Sequence, residues 1–107
     1  MIAINAGIAW KDISDGVKRK MLATGGSMMS VQLQFLKGAV GALHHHPHEQ
    51  IGYVVSGSFE FTMAGEKTVI KAGDSYYVAP SVEHGVVALE DSVLLDVFTP
   101  QRQDFYS

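Results

Sequence analysis

The sequence predicts an all-β fold, a sandwich or a barrel, and three observations carry that prediction. Turn dipeptides recur at short intervals: Gly25-Gly26, Lys37-Gly38, Ser56-Gly57, Ala64-Gly65, Ala72-Gly73, Ala79-Pro80 and Glu90-Asp91. Runs of β-branched and aromatic residues fill the intervals. No segment carries a sustained helical spacing of apolar positions, and at most Asp12 to Val17 forms one helical turn.

Each strand follows from its own alternation. Met28 to Leu36 sets Val31, Leu33 and Phe35 on one face and Gln32 and Gln34 on the other. Ile51 to Val55 ends at Ser56-Gly57, and Ser58 to Met63 returns with Phe59, Phe61 and Met63 on a core face. Thr68–Lys71, Ser75–Ala79, Val86–Leu89 and Val93–Phe98 complete the set, each joined to the next by a tight turn. A meander of this kind closes on itself and removes its exposed edges. The first 25 residues fit this pattern less well. They hold Trp10 and the basic run Lys18-Arg19-Lys20, and the expectation for them is an arm with a strand packed across a partner subunit.

Composition narrows the function classes. A chain of 107 residues, 47% hydrophobic and 18% charged, suits one domain with a buried core: an arm over 1–25, a barrel over 26–100 and a tail over 101–107. The net charge of −3 and the lack of any long basic run argue against a nucleic-acid partner. There is no cysteine, so a metal here must take histidine, amide or carboxylate ligands. The N-terminus lacks the basic and apolar regions of a secretory signal, and no apolar stretch approaches the roughly 20 residues that span a bilayer. A cytoplasmic protein with no membrane partner is the expectation.

Histidine placement is the main chemical signal. Four of the five histidines fall in His44-His45-His46-Pro47-His48, and the fifth, His84, lies much later in a turn. On a strand His44, His46 and His48 would share one side with Gln50, and His45 the other. Two histidines two apart on a strand make a chelating pair, since each offers a neutral nitrogen to one cation. A polar histidine-rich loop without function is the plainer alternative on composition alone.

Spacing brings in a family resemblance. Gly38, five residues, His44, one residue, His46, three residues, Gln50, six residues and Gly57 resemble the first motif of the cupins, with Gln50 where a glutamate is usual. Gly73, five residues, Ala79-Pro80-Ser81, two residues and His84 resemble the second, with the proline shifted by one, Ser81 in place of a glycine and Ala88 in place of an asparagine. The resemblance implies a double-stranded β-helix barrel, jelly-roll-like, with His44, His46, Gln50 and His84 as ligands of one divalent transition metal: nickel, zinc, iron, manganese or cobalt. His45 then points away, and His48 is a residue of the rim or outer shell. An all-neutral ligand set leaves the full charge on the ion, which favours Lewis-acid and proton chemistry over oxygen activation.

A second constellation lies at the C-terminus. Leu94, Asp96 and Phe98 share one face of the last strand, and Val93, Leu95 and Val97 share the other. Alternation leaves open whether Asp96 points outward or into the barrel, where burial would shift its pKa. Most of the chain resembles the pectin-degradation cupins of uronate metabolism. The resembling segments are Gly16 to Lys20, His46 to Gly57, Ala72 to Ser75 and Leu95 to Arg102. That resemblance implies conversion of 4,5-unsaturated monouronates, released from pectin or alginate, into linear ketonised uronates. It implies Asp96 and Arg102 as the catalytic pair and Phe98 as a pocket-lining residue. Arg102 offers a planar fork to a carboxylate, and Gln101, Tyr53, Gln32 and Gln34 are further candidates for substrate contact. Arg19 also reaches an anion in principle, with a surface position as its expected place. The expected partners are a small uronate sugar and a second copy of the chain in a homodimer. A different cupin enzyme, an iron dioxygenase or sugar isomerase, and a non-catalytic sugar-binding cupin are the competing expectations.

Overall fold

Ten strands make up nearly all of the regular structure in the computed structural model, which describes residues 1–106; Ser107, the last residue of the expected tail, lies outside the described residues. They are β1 (Lys11–Ser14), β2 (Val17–Gly25), β3 (Met28–Phe35), β4 (Val40–His44), β5 (Glu49–Ser56), β6 (Ser58–Met63), β7 (Glu66–Lys71), β8 (Ser75–Val78), β9 (His84–Ala88) and β10 (Ser92–Thr99). Two short 3₁₀ turns, Asn5–Gly7 and Gln103–Tyr106, stand near the ends. No helix among the described residues is long and apolar enough to cross a membrane.

The strands form two antiparallel sheets. One has six strands in the order β1-β2-β3-β10-β5-β8, and the other four in the order β4-β9-β6-β7. The expected meander is therefore corrected. Neighbours in sequence such as β4 and β5, or β5 and β6, lie in different sheets, and β10 returns from the end of the barrel to fill the gap between β3 and β5. This is the double-stranded β-helix: each half of the chain crosses from sheet to sheet, and the two inner faces meet in one core. Gly57 makes the β5–β6 crossing possible. Its φ is +80°, and a Cβ there would run into the Ser92 side chain.

Alternation survives in the burial. Phe59 and Phe61 of β6, Val54 of β5, Val78 of β8 and Leu94 of β10 are buried between the sheets, with Phe35 edge-on to Phe59 at 5.2 Å. Truncating fully buried Phe59 to alanine would cost about 3–5 kcal/mol. A smaller cluster of Met29, Val31 and Phe98 packs with Met21 and Phe105.

The N-terminal segment departs from expectation. Asp12 to Val17 form no helical turn: β1 and β2 are a hairpin, and β2 pairs with β3 in the chain's own six-stranded sheet. β2 alternates as well, sending Val17 and Arg19 inward. On its other face, Lys20 is buried under the N-terminal residues, donating to the Asn5 carbonyl and side chain and lying 4.7 Å from the Trp10 ring centre.

Candidate metal centre and active site

The histidine cluster is assembled by strand register, not by a single strand. His44 ends β4 and His84 begins β9, and the two are direct cross-strand partners. Residues 45–48 are a bend, so the parity argument does not extend past His44; the bend itself carries His46 back towards the pair. Ring centres of His44 and His84 lie 4.4 Å apart, and His46 is 5.6 Å and 5.0 Å from them. One ring nitrogen from each lies within 4.8 Å of the others. Gln50, inward-facing on β5, sets its Oε1 3.1 Å from Nε2 of both His46 and His84.

Protonation of these rings follows from their partners. His44 Nδ1 donates to the Ala42 carbonyl at 2.8 Å, His46 Nδ1 to the His48 carbonyl at 3.2 Å and His84 Nδ1 to the Val82 carbonyl at 2.9 Å. A carbonyl oxygen only accepts, so each Nδ1 carries the proton and a neutral ring keeps its lone pair on Nε2. Burial lowers the pKa of His46 and pushes that of His84 down to about 4, which holds both rings neutral. Gln50 is turned the same way. Its amide donates to Asp96, so its oxygen faces the histidines. Lone pairs from Nε2 atoms and Oε1 thus meet with no hydrogen to share among them. That donor set fits a cation, and carbonyls behind each ring are the outer support such a site requires. His45 stays exposed and outside the cluster, and His48 contributes its backbone carbonyl to His46.

The same interior is hollow. A cavity of about 380 Å³ is lined by His44, His84 and Gln50, by Asp96 and Phe98 of β10, and by Arg19, Arg102 and Phe105. Of the two orientations open to Asp96, the structure takes the inward one: Ser92, Leu94, Asp96 and Phe98 are buried, and Val93, Leu95 and Val97 less so. Asp96 is 3% exposed and is the only carboxylate among the described residues that line the cavity. Burial raises its pKa to about 6, against the opposing hydrogen bonds from Tyr76 and Gln50.

Tyr76 has no counterpart in the sequence reading. Its hydroxyl donates to Asp96 Oδ1 at 2.7 Å, and its ring lies 4.4 Å from that of Phe61. Register explains the contact. Asp96, Gly52 and Tyr76 stand in one row across β10, β5 and β8. A Cβ on Gly52 would fall 2.0 Å from the Tyr76 ring, so the missing side chain is the slot through which Tyr76 reaches Asp96. The sequence signal was a glycine inside an apolar strand.

Other expected contacts are not brought together. Tyr53 lies on the outer face of β5 at 44% exposure, because β5 alternates and Gln50, Gly52 and Val54 take the inside. Gln101 is tied elsewhere: its amide donates to the Gly26 carbonyl and its oxygen accepts from the Tyr106 hydroxyl. Gln32 and Gln34 lie outside the cavity lining, with Leu33 between them facing it. Arg102 does line the cavity, stacked 5.2 Å from the Phe98 ring centre and 4.5 Å from that of Phe105. Its fork is bidentate to Asp104, at 3.0 Å from Nε and 2.8 Å from Nη2. Arg19, expected at the surface, is 8% exposed and faces the cavity.

Comparison with known proteins agrees with this architecture. Residues 31–98 match the cupin domain family. The pectin degradation protein KdgF of Dickeya dadantii (strain 3937) is 47% identical over 98 residues, covering 90% of this chain and 89% of that protein. The structure of KdgF from Halomonas sp. superposes with a TM-score of 0.94 at 42% identity, over 98% of this chain and 97% of that one. An RmlC-like cupin from Shewanella frigidimarina NCIMB 400 gives a TM-score of 0.94 at 40% identity, over 97% and 94%. An inward histidine cluster on a two-sheet barrel and near end-to-end similarity thus point the same way: the chain belongs to the cupin family, within the group that includes the pectin degradation protein KdgF.

Proposed function

We propose that the protein is a metal-dependent enzyme that converts 4,5-unsaturated monouronates into linear ketonised uronates, 5-dehydro-4-deoxyuronates. The observation that carries the reading is Asp96, a lone buried carboxylate facing the same cavity as His44, His84 and Gln50. Kinship to pectin degradation proteins supplies the substrate class.

The chemistry is an isomerisation that conserves atoms. As the ring opens, one proton leaves the anomeric hydroxyl, and one arrives at the sp² carbon C4 as the enol becomes a ketone. Asp96 carries this proton, held in place by the Tyr76 hydroxyl on one oxygen and by the Gln50 amide. Arg102 provides positive charge beside the cavity, and Phe98 presents an apolar wall to the sugar. His44, His46, His84 and Gln50 would hold the divalent ion, which supplies Lewis-acid polarisation of a sugar oxygen when bound. Nickel, zinc, iron, manganese and cobalt all suit nitrogen and oxygen ligands.

We also read the chain as one domain over 1–107 that works as a homodimer in the cytoplasm. Support for the dimer comes from Ile51, Tyr53, Val55 and Tyr77, which present an exposed apolar patch on the outer face of the six-stranded sheet.

The test uses metal-loaded protein and a lyase-derived unsaturated monouronate, followed by loss of ultraviolet absorbance from its double bond. Rapid loss over buffer is the expected result, and none would refute the uronate assignment. Asp96→Ala should lower turnover by at least about a hundredfold with metal content unchanged. Normal turnover by that variant would remove Asp96 from the mechanism.

A further inference from the structure

Arg19 is buried, basic and incompletely partnered, which is a costly state for a guanidinium. Its Nε is out of contact with solvent and has no hydrogen-bond partner. Its Nη2 makes one long contact, 3.4 Å to the Phe105 carbonyl. The guanidinium carbon lies 3.9 Å from the Phe105 ring centre, and Arg102 stacks on the same ring at 4.5 Å. Two cations therefore share one aromatic ring beside one cavity. Burial and the neighbouring Arg102 both disfavour the charge on Arg19, and Asp104 favours it. The two arginines differ in what they have free. The fork of Arg102 is already bidentate to Asp104, while Arg19 keeps an unpaired N–H.

We propose that Arg19 is the substrate-binding residue that receives the carboxylate of the uronate, with Phe105 holding its guanidinium plane and Arg102 adding charge from the other side. The proposal rests on the uronate reading above and adds to it the residue that selects the acid over its uncharged forms. A carboxylate has the geometry a buried, planar guanidinium lacks here: it accepts from Nε and an Nη together. Position supports the pairing with the reactive groups. The Phe98 ring lies 5.6 Å from that of His46 and 5.6 Å from that of Phe105, so one aromatic wall runs from the histidine cluster to the arginine pair. A small ring lying along that wall presents its carboxylate to Arg19 and its hydroxyls to the histidine side.

The test separates charge recognition from packing. Arg19→Met keeps an unbranched apolar stem against Phe105 and removes the charge and donors. With wild-type and variant enzyme, KM and kcat are measured for the unsaturated uronate and for its methyl ester. The expected result is a KM for the acid raised about tenfold or more, a kcat within about threefold, and an unchanged KM for the ester. Calorimetric binding of saturated galacturonate and of its methyl ester gives the same contrast without turnover. It therefore still decides the role of Arg19 if the wild type fails to convert the unsaturated sugar. Equal loss for acid and ester, or no loss for either, overturns the proposal. Arg19→Lys provides the same comparison if the methionine variant does not fold, since a lysine keeps the charge and loses the two-donor geometry.

Discussion

The histidine cluster and the arginine pair border one cavity and are held by different physics. The three rings of the histidine cluster are each oriented by a hydrogen bond to the backbone. Nδ1 of His44, His46 and His84 each has a backbone carbonyl, and the Gln50 amide turns to Asp96 and so leaves its oxygen towards two of the rings. Beside them Asp96 takes the hydroxyl of Tyr76 through a gap that only a glycine leaves. The arginines are held by aromatic stacking and by a carboxylate that is itself 59% exposed, and Arg19 retains a donor without a partner. The contrast teaches a division of labour. Groups that must keep a protonation state and a fixed direction are locked by directional bonds to rigid strands. Arg19, proposed to receive the substrate carboxylate, is held mainly by a non-directional aromatic contact that leaves a donor free.

Three changes would break or sharpen that contrast, from the largest effect to the smallest. His84→Ala removes a proposed ligand whose ring is oriented by the Val82 carbonyl, so bound metal should fall by at least about tenfold in elemental analysis. Retained metal would mean that the remaining ligands suffice and that the locking is redundant.

Next comes the pH dependence of Asp96, measured as the stability difference between wild type and Asp96→Asn in metal-free protein. Its folded pKa of about 6 lies above the ordinary 3.8, so folding favours the protonated form. The contribution is complete below pH 3.8 and is lost as pH rises through 6. Wild type should therefore lose up to about 3 kcal/mol relative to Asp96→Asn between pH 4 and 7, measured by urea unfolding. A flat difference would show that Asp96 is ionised as easily as in water.

Asp104→Ala probes the arginine side. Its carboxylate is exposed and its ion pair with Arg102 is solvated, so the loss of stability should stay within about 1 kcal/mol by thermal unfolding. A larger loss would make the arginine pair as rigidly built as the histidine cluster.

Much of the frame was legible in the chain. Alternation in 28–36 and 58–63 identified which side chains face inward on β3 and β6, because the period of a strand is two and one face is buried; in 92–99 it separated the two faces of β10 without saying which turns inward. Spacing around His44, His46, Gln50 and His84 pointed to a shared cation. Alternation failed at the bend 45–48, where no strand exists, and it was silent on β1, β2 and β4, whose sequences mix polar and apolar residues without a clean period. Tyr53 and Gln101 are polar residues near the motifs, yet parity turns one outward and a loop carbonyl holds the other away.

On its own, the sequence determined the all-β class and pointed to His44, His46, Gln50 and His84 as one group, through strand alternation in the first case and motif spacing in the second. Only the tertiary structure decided which way Asp96 faces, that Gly52 opens a path for Tyr76, and that Arg19 lies inside. These depend on register between strands far apart in the chain, β10 with β5 and β5 with β8, and on a C-terminal turn folding back over β2. The histidine group was thus visible from the start, whereas the cavity beside it, with Asp96, Tyr76 and Arg19, exists only once the two sheets have closed.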